Sequence, residues 1–457
     1  MLGDTIAAIA TGDRPAALGI VRISGPGAAA VLAAVVKDAR AADRPHRMCR
    51  GRALHPITGR HLDDVLCFFA PGPHTATGED TAEIHGHGGP LVMRGLLDAA
   101  LAAGARAARP GEFTYRAFLT GRIDLVQAEA VMDLVHARSE RAARAALRQH
   151  GGGIAARLDA NNEALTRIAA TLEVGLDFPD EDLPTAAAAS LAGEIETIAT
   201  SLGHLADSFA SGARLAGGAI VALVGPTNAG KSSLLNRLAG ADRAIVDPEP
   251  GTTRDVVEIE IVLNGVPVRV SDTAGLRTEP GRLEDMGISK AIAAARAADL
   301  VVFVLDGADA SADPAAIDGL LAEGGDIAPP AIAAINKHDL PDWSSDRVPA
   351  ALASARRIAV SALTGEGCGE LARSIGEALA ADEDPAEVVL TNARQHEAVS
   401  AAASGARDAA ALLRRSALPE LAAADLRFAR EALVSLAGRA VDSDVLDAVF
   451  ASFCLGK

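Results

Sequence analysis

The sequence predicts a multidomain α/β chain: an N-terminal α/β domain, a helical bundle, and a phosphate-binding α/β domain inserted into that bundle. Three observations predict it. The apolar run Ala219-Ile220-Val221-Ala222-Leu223-Val224 leads through Gly225-Pro226-Thr227-Asn228-Ala229-Gly230-Lys231-Ser232 into a helical pattern from Ser233, the strand–loop–helix order of a phosphate-binding loop. Helical patterning lies on both sides of that domain, from about 121 to 214 and from Thr391 onward. A length of 457 residues gives a prior of about three domains. The expected boundaries are 1–119, 120–214, 215–379 and 380–457.

Bulk properties narrow the classes further. Hydrophobic content of 49% supports folded cores, and 3% aromatic content with abundant alanine points to helices packed by small side chains. No apolar run approaches the roughly 18 residues that cross a bilayer. The start Met1-Leu2-Gly3-Asp4-Thr5 lacks the basic opening of a signal or transit peptide. Cys49, Cys67, Cys368 and Cys454 are scattered without metal or disulfide spacing, so a reducing cytoplasm is the expected location. A formal net charge of −17 argues against broad electrostatic gripping of nucleic acid. Any RNA contact then needs a local patch or a basic partner.

Residues 1 to about 119 alternate short strands with helices. Leu18–Ile23 reads as a strand closed by Ser24-Gly25-Pro26-Gly27 and followed by an alanine-rich helix, and Val65–Phe69 reads as another. After the loop 71–80 comes a strand carrying Glu83, His85 and His87. Residues at i, i+2 and i+4 share one strand face, so the three are expected to converge. Without a fourth ligand the trio reads as a polar pocket rather than a metal site.

From about Gly121 the pattern turns helical. Asp124 opens a stretch through Gln149 with Leu125, Val126, Ala128, Val131, Met132 and Val135 on one apolar face. Gly151-Gly152-Gly153 interrupts it, and further helices reach Leu176 and cross 188–213. Arg141, Arg144 and Arg148 line one side, a solvated face by the ordinary reading and an RNA or acidic-partner contact by the sharper one. Phe178-Pro179-Asp180-Glu181-Asp182 is an acidic turn.

The inserted domain carries the chemistry. Glycines let the loop curl so that Asn228, Ala229, Gly230, Lys231, Ser232 and Ser233 surround phosphate oxygens with backbone N–H groups. Lys231 reaches the β- and γ-phosphates, and the Ser232 hydroxyl ligates Mg²⁺. Asp272-Thr273-Ala274-Gly275 follows the run Val266–Val270, which puts Asp272 at the Walker-B position holding Mg²⁺ through water. Gly275 can offer its N–H to the γ-phosphate. Asn336-Lys337-His338-Asp339 follows an apolar run ending at Ile335. The Asp339 carboxylate can accept from N1–H and N2–H₂ of guanine, an edge adenine lacks, with the Lys337 stem over the base. Ser361-Ala362 would give a backbone N–H to guanine O6. Together these loops specify GTP and a Ras-like P-loop G domain.

Ras-type enzymes carry glutamine after the Asp-x-x-Gly motif to orient the attacking water; here that residue is Leu276, which can neither donate nor accept. Another group must position water, and Glu279, Glu284 and Asp285 all lie near enough in sequence.

Ile20-Val21-Arg22-Ile23-Ser24-Gly25, Thr77-Gly78-Glu79-Asp80, Gly86-His87-Gly88-Gly89, Ala108-Arg109-Pro110-Gly111-Glu112-Phe113 and the ending Cys454-Leu455-Gly456-Lys457 resemble the MnmE (TrmE) family of tRNA-modifying GTPases. The resemblance covers essentially the whole chain. It implies an N-terminal domain that dimerises and binds a tetrahydrofolate derivative, 5-formyl- or 5,10-methylene-tetrahydrofolate. Folate contacts carry over to Arg22, Glu83, Arg122 and Lys457, with arginine at 122 where the better-known pattern has lysine. The water-positioning role falls on Glu284, and the thiol of Cys454 is needed for tRNA modification; glycine and a terminal lysine do not suit a prenylation box.

The resemblance also implies a potassium ion in place of an arginine finger, held by Asn228 with Asp247, Glu249 and Thr252. The GTP-binding set then extends through Asp247-Pro248-Glu249-Pro250-Gly251-Thr252-Thr253, with Thr253 on Mg²⁺ in the GTP state. Asp247 and Pro250 depart from the better-known pattern, so potassium dependence rests on the ligands being backbone carbonyls. The implied partners are a second copy, tRNA and the FAD-using MnmG, with FAD on MnmG alone. Together they would add an aminomethyl or carboxymethylaminomethyl group at C5 of the wobble uridine. The residues leave two rival readings: a regulatory switch GTPase in ribosome assembly, and a non-catalytic folate-binding or scaffold protein in which GTP is structural.

Overall fold

The computed structural model describes residues 3–12, 14–177, 185–226, 228–241, 257–272, 293–309, 330–349, 352–380, 389–415, 419–438, 443–451, 453 and 456. It divides into two compact units, one of residues 1–132, 150–195 and 408–457 and the other of 133–149 and 196–407.

The first unit is built on alternation of apolar and polar residues. β1 (Ile6–Ile9), β2 (Ala16–Ser24), β3 (Val36–Lys37), β4 (Cys49–Leu54), β5 (His61–Ala70), β6 (Thr81–Gly88) and β7 (Arg106–Ala107) form one sheet in the order β3-β4-β5-β6-β2-β1-β7. Only the β1–β7 pair is parallel. Val21, Ile23, Val65, Cys67 and Ile84 point to one face, where α1 (Ala28–Val35) and α2 (Pro90–Ala102) cover them with Leu32 and Leu96. The other face carries Arg22, Glu83 and His85, since successive strand residues alternate sides. Cys49 and Cys67 face each other in register as free thiols.

α3 (Glu112–Leu119) closes this sheet and receives the end of the chain. Phe450 of α13 (Ser443–Ala451) lies 4.9 Å from the Tyr115 ring and 5.4 Å from Phe453. The backbone then returns to β1: a Cβ on Gly456, at φ 89°, would stand 2.2 Å from the Ile9 carbonyl oxygen. Only glycine allows that approach. In the same unit α6 (Gly153–Asp177) runs against α12 (Pro419–Leu436), with Arg427 3.6 Å from Glu173.

The helical stretch expected from Asp124 to Gln149 is two helices, α4 (Leu125–His136) and α5 (Glu140–His150). Asp124 opens the first by a reciprocal cap, its carboxylate accepting from Gln127 N–H at 2.7 Å while Gln127 Oε1 accepts from Asp124 N–H at 3.0 Å. Ser139 opens the second, its hydroxyl accepting from Ala142 N–H at 3.1 Å. That local cap competes with a continuous helix. The chain continues through α7 (Thr185–Asp207) and α8 (Phe209–Gly217); the acidic turn 178–182 lies outside the described residues.

The second unit holds a six-stranded sheet of β8 (Ala219–Val224), β9 (Val257–Leu263), β10 (Val266–Asp272), β11 (Leu300–Asp306), β12 (Ala331–Asn336) and β13 (Arg356–Ala359). Its order is β13-β12-β11-β8-β10-β9, parallel except for the edge strand β9. A parallel sheet buried on both faces calls for unbroken apolar strands, and β11 is buried at every residue. α9 (Lys231–Ala241) and α10 (Cys368–Ala380) cover one face through Leu234, Leu238, Leu371 and Ile375; Phe303, Leu305 and Leu352 fill the other. α11 (Ala393–Arg414) follows. Buried Gln149 donates to Val389 O at 2.6 Å, and Thr391 Oγ1 donates to Asp133 at 2.7 Å. These bonds tie α4 and α5 to the segment leaving the sheet.

Candidate functional site

The carboxyl ends of β8, β11, β12 and β13 lie side by side in this sheet, the edge at which open α/β folds bind ligands. After Val224 the chain turns through Gly225 and Pro226, and Asn228 adopts a left-handed φ of 64°. α9 begins at Lys231, its first turn closed by Leu234 N–H to Gly230 O at 2.9 Å. A helix beginning where a loop ends directs its first N–H groups and the positive end of its dipole out of that end, the side at which anions are favoured. Lys231 is 6% exposed and donates to the carbonyls of Gly225 and Pro226 at 2.8 Å each. The loop itself thus holds the ammonium across its mouth. Ser232 and Ser233 are exposed at the helix start.

Asn336 joins this loop to the ones that follow β12 and β13. Buried at 2% exposure, it donates through Nδ2 to Ala229 O at 2.7 Å and accepts through Oδ1 from Ala362 N–H at 3.0 Å. Gly230 cannot be anything larger, because a Cβ there would sit 2.2 Å from Asn336 Nδ2. Ser361 Oγ donates to Asp339 Oδ1 at 2.6 Å, which anchors an otherwise exposed carboxylate. One oxygen anchored and the other open is a preset acceptor for a two-donor edge. The motif residues therefore form one connected hydrogen-bonded set.

Sequence reasoning missed two supports of this set. Arg237, the seventh residue of α9, donates through Nε to Ala362 O at 3.2 Å and through Nη2 to Leu363 O, propping the 361–363 loop. Asp306, the last residue of β11, pairs with Lys337 Nζ. Asp306 also accepts from Ala308 and Asp309 N–H at 3.0 and 3.2 Å. The buried strand ending at Asp306 was the available signal for the second; nothing in the sequence singled out Arg237.

Asp272 ends β10 opposite Leu223 and Val257, at the strand end beside the phosphate loop. Its side chain, with Thr227, Asp247 to Thr253, Thr273 to Gly275, Glu279, Glu284 and Asp285, lies outside the described residues.

On the outer face of the first unit's sheet, Arg22 and Glu83 stand opposite each other and pair, Nε to Oε1, at 3.0 Å. His85 Nε2 bonds the other Glu83 oxygen at 2.9 Å, and Arg22 lies over the Phe113 ring at 5.9 Å. The His85 bond leads in holding the Glu83 carboxyl below its ordinary range, with Arg22 adding to it against the cost of burial. The expected convergence of three residues is only partial. His87 turns instead to Asp63 of β5, bonding it through Nδ1 at 2.8 Å and through its backbone N–H at 2.7 Å. That second acceptor draws the ring away, and no group of three metal-ligating side chains forms among the described residues. Arg122 is exposed, its stem 3.2 Å from where a Cβ on Gly78 would stand. Cys454 and Lys457 lie outside the described residues, but Gly456 between them rests on Ile9, beside Ala8, the β1 residue paired with Arg22.

A network of five charged side chains braces this region. Arg116, 1% exposed, bonds Asp4 Oδ1 at 2.6 Å, Glu79 Oε2 at 3.0 Å and Glu112 Oε1 at 3.2 Å, and Arg106 forks onto Glu112 and Asp4. Burial opposes ionisation of Glu112, yet Arg106, the Arg109 N–H and Arg116 outweigh it and hold the carboxyl at about 2.

A phosphate loop joined through a buried asparagine to a guanine-type acidic loop defines a GTPase of the G-domain class. Residues 5–122 match the family model for the GTP-binding protein TrmE N-terminus, and residues 125–454 match that for the MnmE helical domain. The tRNA modification GTPase MnmE of Parvibaculum lavamentivorans is 40% identical over 460 residues, covering 99% of this chain and 100% of that protein. Its counterpart in Heliobacterium modesticaldum is 38% identical over 471 residues, with both chains covered fully. The G domain of the T. maritima FeoB iron transporter matches 35% of this chain and 98% of its own, at 26% identity and a TM-score of 0.27. The chain belongs to the MnmE family. No helix among the described residues is long and apolar enough to cross a membrane.

Proposed function

We propose that this protein is a GTPase of tRNA modification that works with MnmG at C5 of the wobble uridine. The observation that carries the nucleotide part is the Asn336 bridge, which ties the phosphate loop to the 361–362 loop; the Asp339 carboxylate held by Ser361 beside it suits the two-donor edge of guanine. The tRNA part rests on membership of a family whose relatives are named for it along their full length. Nothing in the fold favours the ribosome-assembly reading over this one.

In this reading the N-terminal sheet is the folate and dimer domain, and the G domain is inserted into the helical domain. A folate bound there would supply the one-carbon unit. Glu83 is ionised and retains acceptor capacity beyond its bonds to Arg22 and His85, since a carboxylate offers about four lone-pair sites. It therefore fits the guanidine-like edge of a pterin, with Arg22, Arg122 and Lys457 for the carboxylate and formyl oxygens. Ser232, Thr253 and Asp272 would hold Mg²⁺. Asn228, Asp247, Glu249 and Thr252 would hold potassium where two G domains of a homodimer meet. Lys231 leaves the loop carbonyls for the phosphates, and Glu284 orients water.

The test is nucleoside mass spectrometry of bulk tRNA from cells lacking this gene, complemented with the wild type or with Cys454→Ser. Loss of C5-substituted wobble uridine that only the wild type restores supports both the pathway and the thiol. A modification that never changes sinks the proposal.

A further inference from the structure

A chain with a formal net charge of −17 still has to meet a polyanion if it acts on tRNA. One segment departs from the acidic background. From Arg44 to His61 there are five arginines and three histidines and no acidic residue. The segment leads into β4, runs along it and turns into β5. Cys49, Gly51 and Ala53 of β4 face the helix-covered core, so Arg50 and Arg52 project from the open face at 80% and 62% exposure. Arg44, Arg47 and Arg60 are exposed at the two ends of the strand. With about 3.3 Å per strand residue, these guanidinium groups make a strip rather than a cluster, roughly 20 Å long or more.

The acidic groups nearby neutralise only its middle. Asp38 pairs with Arg52 at 2.9 Å, and Asp64 lies 3.6 Å from Arg50 and 3.3 Å from His61. Asp63 is taken by His87, and Asp43 precedes Arg44. Arg44, Arg47 and Arg60 have no acidic partner among the described residues. The rival basic face on α5 is engaged: Arg144 pairs with Glu140, and Arg141 packs where a Cβ on Gly265 would stand 2.9 Å away. The strip offers charge without exposed aromatic rings, the chemistry of phosphate contact rather than of base reading.

We propose that Arg44, Arg47, Arg50, Arg52 and Arg60 form a docking strip for the phosphate backbone of tRNA. The inference rests on the tRNA-modification reading above and names the surface through which it acts. Contact of this kind is indifferent to base sequence and weakens steeply with salt, because each neutralised phosphate releases counterions. It would hold the substrate against the N-terminal domain while leaving base selection to other elements.

The test measures binding of the full chain to bulk tRNA across a salt series. The strip variant is Arg44→Ala, Arg47→Ala and Arg60→Ala together. A control variant removes the same charge elsewhere, with Arg94→Ala, Arg357→Ala and Arg373→Ala. We expect the strip variant to bind about tenfold or more weakly at low salt. Its slope of log affinity against log salt should be shallower by about two to three, with GTP hydrolysis at the wild-type rate. The control should keep most of the affinity. Equal weakening of both variants, or an unchanged slope in the strip variant, overturns the proposal while leaving the tRNA-modification reading intact. Wild type that binds no tRNA also overturns the strip; the reading itself is judged by the nucleoside analysis. A strip variant that keeps tRNA but loses the flavoprotein partner makes this a protein-docking face and overturns the proposal as well.

Discussion

Asp339 shows how much a single side chain can decide. Its carboxylate is pinned by Ser361 at 2.6 Å yet open to solvent, so replacing it by asparagine keeps the shape and turns one acceptor into a donor. Asp339→Asn should weaken GDP binding by at least tenfold, since a hydrogen bond to a charged group is worth about 1.5–3 kcal/mol. Xanthosine diphosphate, with a carbonyl where guanine has its amine, should gain relative to GDP. Titration with fluorescent nucleotides checks both, and unchanged GDP affinity would remove Asp339 from base recognition. At Glu284 the expectation differs: Glu284→Ala should bind GTP normally and lose most hydrolysis in potassium, and wild-type turnover would end that assignment. Glu112 makes a pH prediction. Its carboxyl is held at about 2 in the folded chain, below the unfolded value of about 4.3. A depressed carboxylate stabilises above the unfolded value and loses that contribution as pH falls through the folded one, here across roughly pH 4.5 to 2. The amount is about 3 kcal/mol, so Glu112→Gln should lower stability at neutral pH and flatten the acid limb of a urea-midpoint profile.

Elements that bury a continuous apolar run were legible in the sequence, and those defined by competition were not. Ala219–Val224 and the run ending at Ile335 need no partner to be read as strands, because a parallel sheet covered on both faces demands such runs. β9, Val-Glu-Ile-Glu-Ile-Val-Leu, shows the apolar–polar alternation of a half-buried edge strand but adjoins no motif that marks it. The break after α4 was hidden because Ala137-Arg138-Ser139 suits a helix by propensity, while the Ser139 hydroxyl offers Ala142 N–H a better local partner. Ser139→Ala should therefore cost about 1 kcal/mol, read as a lower urea midpoint with unchanged nucleotide affinity. At the functional sites, residue types and order were legible from the motifs, whereas pairings were not. Sequence spacing cannot tell that Asp63 draws His87 away from Glu83, or that Arg237 reaches across to Ala362. Both contacts join elements that meet only after folding.

On the scale of the whole chain, two units carry separate cores, one under the N-terminal sheet and one around the six-stranded sheet. A ligand stabilises only the state that binds it, by RT ln(1 + [L]/Kd). GDP at a hundred times its dissociation constant should thus add about 2.7 kcal/mol to the unit of roughly 230 residues that holds Lys231 and Asn336. At about 2–4 °C per kcal/mol for a unit of that size, the shift is about 5–10 °C. 5-Formyl-tetrahydrofolate should act instead on the unit holding Arg22 and Glu83. Calorimetry of the full chain should show two transitions, with GDP moving one and the folate moving the other. If either ligand moves both transitions together, the units unfold as one cooperative body, and nucleotide binding then reaches the folate face through stability alone. If the folate moves neither, the Arg22–Glu83 pair is only a structural clasp across β2 and β6, and the one-carbon donor must be sought elsewhere.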